Sequence, residues 1–166
     1  PVLIEKPFVL KINDAQKLIK ISKKKRTKCF TVYQNRFNKS LIQLKKMFSS
    51  KNKIKNIFFI DMKLFWRRDK KYYMDGWHGK YKYDGGVLVN QSIHMLDALI
   101  YIFGNIKEFS VFSGFNKKKL EAEDLISIQF KLKNGIFVNF SATTRSNFNY
   151  QVSIDVLENK SRTKIE

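Results

Sequence analysis

The chain has 166 residues, enough for one domain with a core, or for one domain and a fragment of a second. Its 43% hydrophobic and 14% aromatic content excludes a disordered chain, and with no apolar run near the ~18 residues of a membrane span and no signal-peptide pattern, a soluble, cytoplasmic protein without a membrane partner is expected. The net charge of +19 would ordinarily point to a polyanion, yet 27 of the 33 basic residues are Lys, dispersed among the Ile and Asn that AT-rich codons favour, with no nucleic-acid-binding motif around them; no nucleic acid is expected as a partner.

Residues 2–4, Val-Leu-Ile, read as a short buried strand ended by Glu5-Lys6-Pro7, since proline cannot continue a central ladder. Asn13 or Asp14 is expected to cap a helix with Ala15, Leu18, Ile19 and Ser22 on one face, its C-terminal dipole complemented by the basic run at 23–26. A strand at 29–33 completes a βαβ unit with parallel strands. The lone Cys29 in that strand excludes an internal disulfide and a zinc cluster, so it reads as a buried, inert thiol and no metal is expected.

After the polar turn Gln34-Asn35-Arg36, an amphipathic helix is predicted from Leu41, Leu44, Met47 and Phe48, ending at residues 49–52. From Ile54 the period becomes two: Phe58, Ile60, Met62, Leu64 and Trp66 share one face of a long half-buried strand, opposite Asp61 and Lys63. Alternation returns at 109–115, at Ile126, Ile128, Phe130 and Leu132, at Ile136, Val138, Phe140 and Ala142, and at Val152, Ile154 and Val156. Asn134-Gly135 predicts a hairpin through a type I′ turn. Residues 162–166 begin another strand, loops are expected at 67–86 and 115–123, and both ends read as cut from a longer chain.

Residues 87–103 predict an apolar helix closed by Gly104. Asn90, His94 and Asp97 fall at i, i+4 and i+7, a polar stripe that must meet water, a partner group or a pocket. Asp84-Gly85-Gly86 just before it favours a ligand, since glycine admits close backbone approach and a helix N-terminus favours anions. Trp66-Arg67-Arg68-Asp69 and Tyr72-Tyr73-Met74-Asp75-Gly76-Trp77-His78 concentrate flat rings and guanidinium groups suited to a sugar, a base or a phosphate.

Glu5-Lys6-Pro7, Tyr33-Gln34-Asn35-Arg36-Phe37-Asn38 and the run from Gly85-Gly86 through Asn90, His94 and Asp97 occur in that order. Together they resemble the Gfo/Idh/MocA family of nicotinamide-dependent sugar dehydrogenases, nearest to the branch acting on UDP-N-acetylglucosaminuronate in lipopolysaccharide synthesis. The resemblance implies an α+β fold: a predominantly antiparallel open sheet with helices on one face, like the C-terminal domain of glyceraldehyde-3-phosphate dehydrogenase, preceded by a residual βαβ piece of a truncated Rossmann domain. It divides the chain into residues 1–36, a remnant of the dinucleotide-binding domain, and 37–166, a substrate-binding and oligomerisation domain.

By the same resemblance Lys6 and His94 are the catalytic pair. Asn90, Arg68, Tyr72, Tyr73 and Trp77 bind substrate, and Glu5, Lys6, Pro7, Asn35 and Arg36 face an NAD or NADP cofactor. The chemistry suits them, because oxidising a secondary alcohol needs a base poised near neutral pH and a cation beside the developing alkoxide. The implied partners are a sugar-nucleotide substrate and further copies of the chain, joined through the open sheet. Asn90 stands where many relatives carry Asp, and His78 where Arg is common. No Gly-x-Gly-x-x-Gly occurs in the chain, so most of the dinucleotide site is expected elsewhere and the 166 residues alone are expected to be inactive. The alternative is a stand-alone sugar-nucleotide-binding or oligomerisation domain without catalysis.

Overall fold

A computed structural model describes residues 1–114, 120–147 and 150–166. Phe115, the end of one predicted strand, and most of the predicted loop at 115–123 therefore lie outside the described residues.

Two three-residue strands joined by a helix form the first layer, and the first is not buried as expected, since Val2 and Leu3 are exposed. β1 (Val2–Ile4) and β2 (Cys29–Thr31) pair in parallel, Val2 opposite Cys29 and Ile4 opposite Thr31, with α1 (Ile12–Lys24) between them. The helix begins after Lys11, without a side-chain cap. Asn13 and Asp14 instead lie within its first turn, where Asp14 pairs with Lys17 at 3.4 Å. Ala15, Leu18 and Ser22 are half-buried as a stripe, but Ile19 stays exposed. Cys29 is only half-buried, its side chain alternating with the exposed Phe30. β2 stops at Thr31, short of the predicted Tyr33, because Gln34–Phe37 winds into a 3₁₀ turn that takes Tyr33 out of extended geometry.

α2 (Lys39–Met47) starts where the Asn38 side chain accepts the Ser40 amide at 2.9 Å. Leu44 and Phe48 are buried, whereas Met47 is exposed. The helix is followed by a second, α3 (Lys51–Lys55), capped by Ser50; five polar-rich residues carry no apolar period by which to predict it.

The alternating runs then build a six-stranded sheet from β3 (Ile57–Trp66), β4 (Ile106–Gly114), β5 (Leu125–Leu132), β6 (Phe137–Thr143), β7 (Tyr150–Glu158) and β8 (Ser161–Ile165). Their spatial order is β4-β5-β6-β3-β7-β8. In this sheet, among the described residues, only β3 and β6 run parallel and the other pairs are antiparallel. One face buries the predicted residues Ile60, Met62, Leu64, Ile126, Ile128, Phe130, Leu132, Val138, Phe140, Ala142, Ile154 and Val156. They share a core with Leu44 and Phe48 and with Met95, Leu99, Ile102 and Phe103 of α4 (Ile93–Phe103). The Phe48 and Phe103 rings meet at 5.6 Å.

Three expectations fail locally. Phe58 is 53% exposed, because a register shift between Ile57 and Phe59 against β7 turns Ile57 inward in its place. The 109–115 run does not alternate in burial: β4 is an edge strand whose Phe109, Val111 and Phe112 are all exposed. The β5–β6 hairpin is not type I′. Gly135 has φ +92°, but Asn134 is not left-handed. Gly135 N–H donates to Leu132 O at 3.0 Å and Leu132 N–H to Ile136 O at 2.9 Å, a three-residue loop closed by its glycine. Among the described residues no helix is long and apolar enough to cross a membrane.

Candidate functional site

The predicted helix at 87–103 divides into a π-helical turn, Val87–Gln91, and α4. Gly85 (φ +69°) and Gly86 (φ +77°) deliver the chain into that turn, and a Cβ on Gly86 would overlap the Glu123 carboxylate. Glu123 Oε1 accepts the Leu88 amide at 3.0 Å and its backbone oxygen accepts the Val87 amide at 2.8 Å. The anion at this helix start is thus internal, which corrects the expectation that the glycines bring the backbone to a ligand. Burial pushes the Glu123 carboxyl pKa up, against the pull of the amide.

The polar stripe lies toward the N-terminal layer. Lys6 Nζ donates to Asn90 O at 2.8 Å and to Asn90 Oδ1 at 3.0 Å, which commits two of its three N–H groups. Burial lowers the Lys6 pKa, with Arg68 contributing in the same sense and Glu5 and Asp84 opposing. Four residues on, His94 is half-buried beside the edge of the Tyr33 ring, 6.2 Å between centroids. Its Nδ1 is buried and has no hydrogen-bond partner among the described residues. Burial and then the Lys6 charge lower the His94 pKa, so the imidazole is neutral at pH 7. Asp97, the third member, accepts from Arg36 Nε at 2.7 Å and Nη2 at 2.6 Å. The guanidinium also lies 4.5 Å from the Tyr101 centroid and 5.3 Å from that of Tyr33.

Behind Asn90 stands a support that the sequence did not reveal. Asp84, 4% exposed, accepts the Gly79 amide at 2.7 Å and the Asn90 Nδ2. This fixes the amide with its oxygen toward Lys6. Tyr72 Oη accepts from Gln91 Nε2 at 2.9 Å and Asn90 Nδ2 at 3.3 Å. Burial and then the Asp84 charge push the phenol up to about 12, so it keeps its proton. The sequence singles out Asp84 only together with the two glycines after it, and Gln91 looks like an ordinary helix polar residue; their burial shows the supporting role.

The aromatic and basic run forms a stack. The Arg68 guanidinium lies 3.9 Å from the Trp66 ring and 4.5 Å from that of Tyr72. Tyr72 packs on His78 at 3.8 Å, and His78 on Trp77 at 3.6 Å. Trp77 thus sits at the outer end and is partly exposed. Tyr73 turns away to meet Thr144 Oγ1 at 2.8 Å. Of the other predicted residues, Glu5 acts electrostatically on both Lys6 and His94, Pro7 follows a cis peptide bond, and the backbone oxygen of Asn35 closes the 3₁₀ turn onto Asn38 at 3.0 Å. The fold therefore gathers Lys6, Asn90, His94 and Tyr72 and engages Arg36 with Asp97, while Tyr73 and Trp77 lie further out.

Residues 42–162 match the sequence profile of the GFO/IDH/MocA C-terminal domain. The chain belongs to the GFO/IDH/MocA family. Within it, the chain is similar to the WlbA dehydrogenase from Bordetella pertussis, solved in complex with NADH and UDP-GlcNAcA, at 26% identity and a TM-score of 0.92 over 98% of this chain and 51% of that one. It is similar also to WlbA from Chromobacterium violaceum, solved with the same two molecules, at 27% identity and a TM-score of 0.91 over 98% of this chain and 48% of that one. GenD2 from gentamicin A biosynthesis, solved with NAD, shares the fold at 12% identity and a TM-score of 0.84, over 99% of this chain and 47% of that one. A search of curated protein sequences finds no match. The chain spans about half the length of these solved relatives.

Proposed function

We propose that residues 37–166 are the substrate-binding part, and residues 1–36 an edge of the dinucleotide-binding part, of an NAD(P)-dependent dehydrogenase. Its substrate is a UDP-linked N-acetylamino sugar acid and its product the corresponding ketone. The observation that carries this reading is that Lys6, whose third N–H is uncommitted among the described residues, is held by Asn90 one helical turn before a neutral His94, whose buried Nδ1 has no partner among them. The likeness to two dehydrogenases solved with NADH and UDP-GlcNAcA supports the choice of substrate.

The residues fit the nicotinamide end of such a cofactor, because the orphaned imidazole nitrogen leaves a buried polar position that a bound group can satisfy. Glu5, Lys6, Pro7 and Asn35 would flank that end, and when bound the cofactor supplies the hydride acceptor. This chain's residues handle the proton and the oxygen. His94 takes the hydroxyl proton, a role for which a neutral imidazole with a free lone pair is prepared. Lys6 donates its remaining N–H to the same oxygen and stabilises the developing negative charge. Asn90 holds Lys6 in place, and Arg36, committed to Asp97, positions α4 rather than contacting cofactor.

The open face of the six-stranded sheet belongs to a subunit interface in this reading. There Phe59 lies opposite Phe137, and Asn139 donates to Asp61 at 2.7 Å.

In the full-length protein given UDP-GlcNAcA and NAD, reduction is followed at the reduced-nicotinamide absorbance band. His94→Ala is expected to lower kcat by about 10²-fold or more, with the thermal unfolding midpoint within a few degrees of the parent. Unchanged turnover would remove His94 from the reaction. The 166 residues alone are expected to give no turnover, since they hold no Gly-x-Gly-x-x-Gly turn for the dinucleotide pyrophosphate.

A further inference from the structure

A cavity of about 330 Å³ opens beside the stack, with Tyr73, Met74 and Leu120 as its apolar walls and Arg68, Lys70 and Arg145 as its cations. Three positive side chains face two carboxylates, and neither carboxylate is idle. Asp124 is buried and locked onto Arg145 through Nε and Nη2, an arrangement that leaves Arg145 Nη1 outside the pair. Asp69 caps the amide of Tyr72 at 3.0 Å.

Arg68 is the unusual member. Its guanidinium is held between the Trp66 and Tyr72 rings, and its Nε is buried without a hydrogen-bond partner among the described residues. An unsatisfied buried donor is unfavourable until an acceptor arrives, and a guanidinium already fixed by two rings loses little freedom on meeting a phosphate oxygen. Arg68 also stacks on Tyr72, whose hydroxyl accepts from Asn90, the residue that holds Lys6. The cavity therefore adjoins the position assigned to the reacting sugar.

The geometry points to this cavity as the subsite for the diphosphate of the nucleotide sugar, held by Arg68, Lys70 and Arg145, with the apolar walls taking the adjoining nucleoside. The assignment rests on the proposed reading of the Lys6–His94 site, and it adds Lys70 and Arg145 to the substrate contacts. It also fits the covalent order of such a substrate: the diphosphate is bonded directly to the sugar ring, so the groups that bind the two must be neighbours.

The test is calorimetric titration of the chain with UDP, inorganic pyrophosphate, uridine and NADH, with folding checked by circular dichroism. UDP is expected to bind and to weaken as salt rises, and uridine to bind at least about tenfold more weakly, since charge-assisted contacts to phosphate carry the affinity. Lys70→Gln, an exposed change that leaves the fold intact, and Arg68→Gln should each weaken UDP several-fold to about tenfold, and NADH should not compete. Absence of UDP binding, UDP affinity indifferent to both substitutions, or displacement by NADH would overturn the assignment, the last by giving the cavity to a dinucleotide pyrophosphate. A full-length protein that binds UDP here yet reduces no NAD would strike the proposed reaction and leave the subsite standing. Turnover with UDP affinity indifferent to both substitutions would do the reverse.

Discussion

A chain of polar groups that begins at the buried Asp84 sets the state of Lys6: the Gly79 amide holds Asp84, Asp84 holds the Asn90 amide, and Asn90 holds the ammonium. The Asp84 charge also works against the burial that lowers the Lys6 pKa. Asp84→Asn keeps the shape and removes that charge, so the Lys6 titration should move further toward lower pH; amine acylation rates followed against pH, with peptide mapping of Lys6, would measure it, and an unmoved or raised midpoint would contradict the relay. His94 gives a separate prediction. Its folded pKa lies below the ordinary 6.5, so the unfolded chain binds the proton first as pH falls. The associated stability is complete above pH 6.5 and is lost as pH drops through the folded value. The unfolding midpoint should therefore decline below pH 6.5, and less steeply in His94→Gln.

At the level of the element, glycines with the same handedness have different sensitivities. Gly135 (φ +92°) has open space around a would-be Cβ, so Gly135→Ala pays only for left-handed backbone, about 1 kcal/mol. Gly86 (φ +77°) faces the Glu123 carboxylate that caps the π-helical turn, so Gly86→Ala must also displace that cap, and should be destabilising by roughly 2 kcal/mol or more. Denaturant unfolding of the two variants side by side would rank them. The same contrast explains what was legible in sequence. Period-two apolar runs located β5, β6 and β7 and their buried residues, because one face of each strand is buried. Phe58 was misplaced because a bulge leaves no mark on a pattern of Phe and Ile, and the turn at Asn134 because Asn-Gly fits more than one loop. In the site, Lys6, His94 and Asn90 could be picked out through motifs and helical spacing, whereas Asp84, Gln91 and Glu123 depend on which strands and loops come to lie over the glycines, a tertiary fact that spacing does not carry.

Taken whole, the described residues form a small parallel sheet and a six-stranded sheet that has helices on its inner face and an outer face of mixed character. The outer face sets Asp61, Asn139, Lys63 and Asp155 among Phe59, Phe137 and Leu157. If that face joins subunits, Phe137→Glu should lower the sedimentation coefficient toward that of a single chain, because it introduces a charge where apolar and polar groups would otherwise be desolvated; an unchanged coefficient in an assembling parent would place the interface elsewhere. Two polar ties, Lys6 to Asn90 and Arg36 to Asp97, join the segments that follow β1 and β2 to the π-helical turn and α4. These ties hold helix residues on either side of His94, roughly one turn away in each direction. The imidazole is thus gripped like a bead between two knots on a taut cord: a shift of the N-terminal layer along α4 must undo a knot before it can carry the imidazole and the Lys6 ammonium apart.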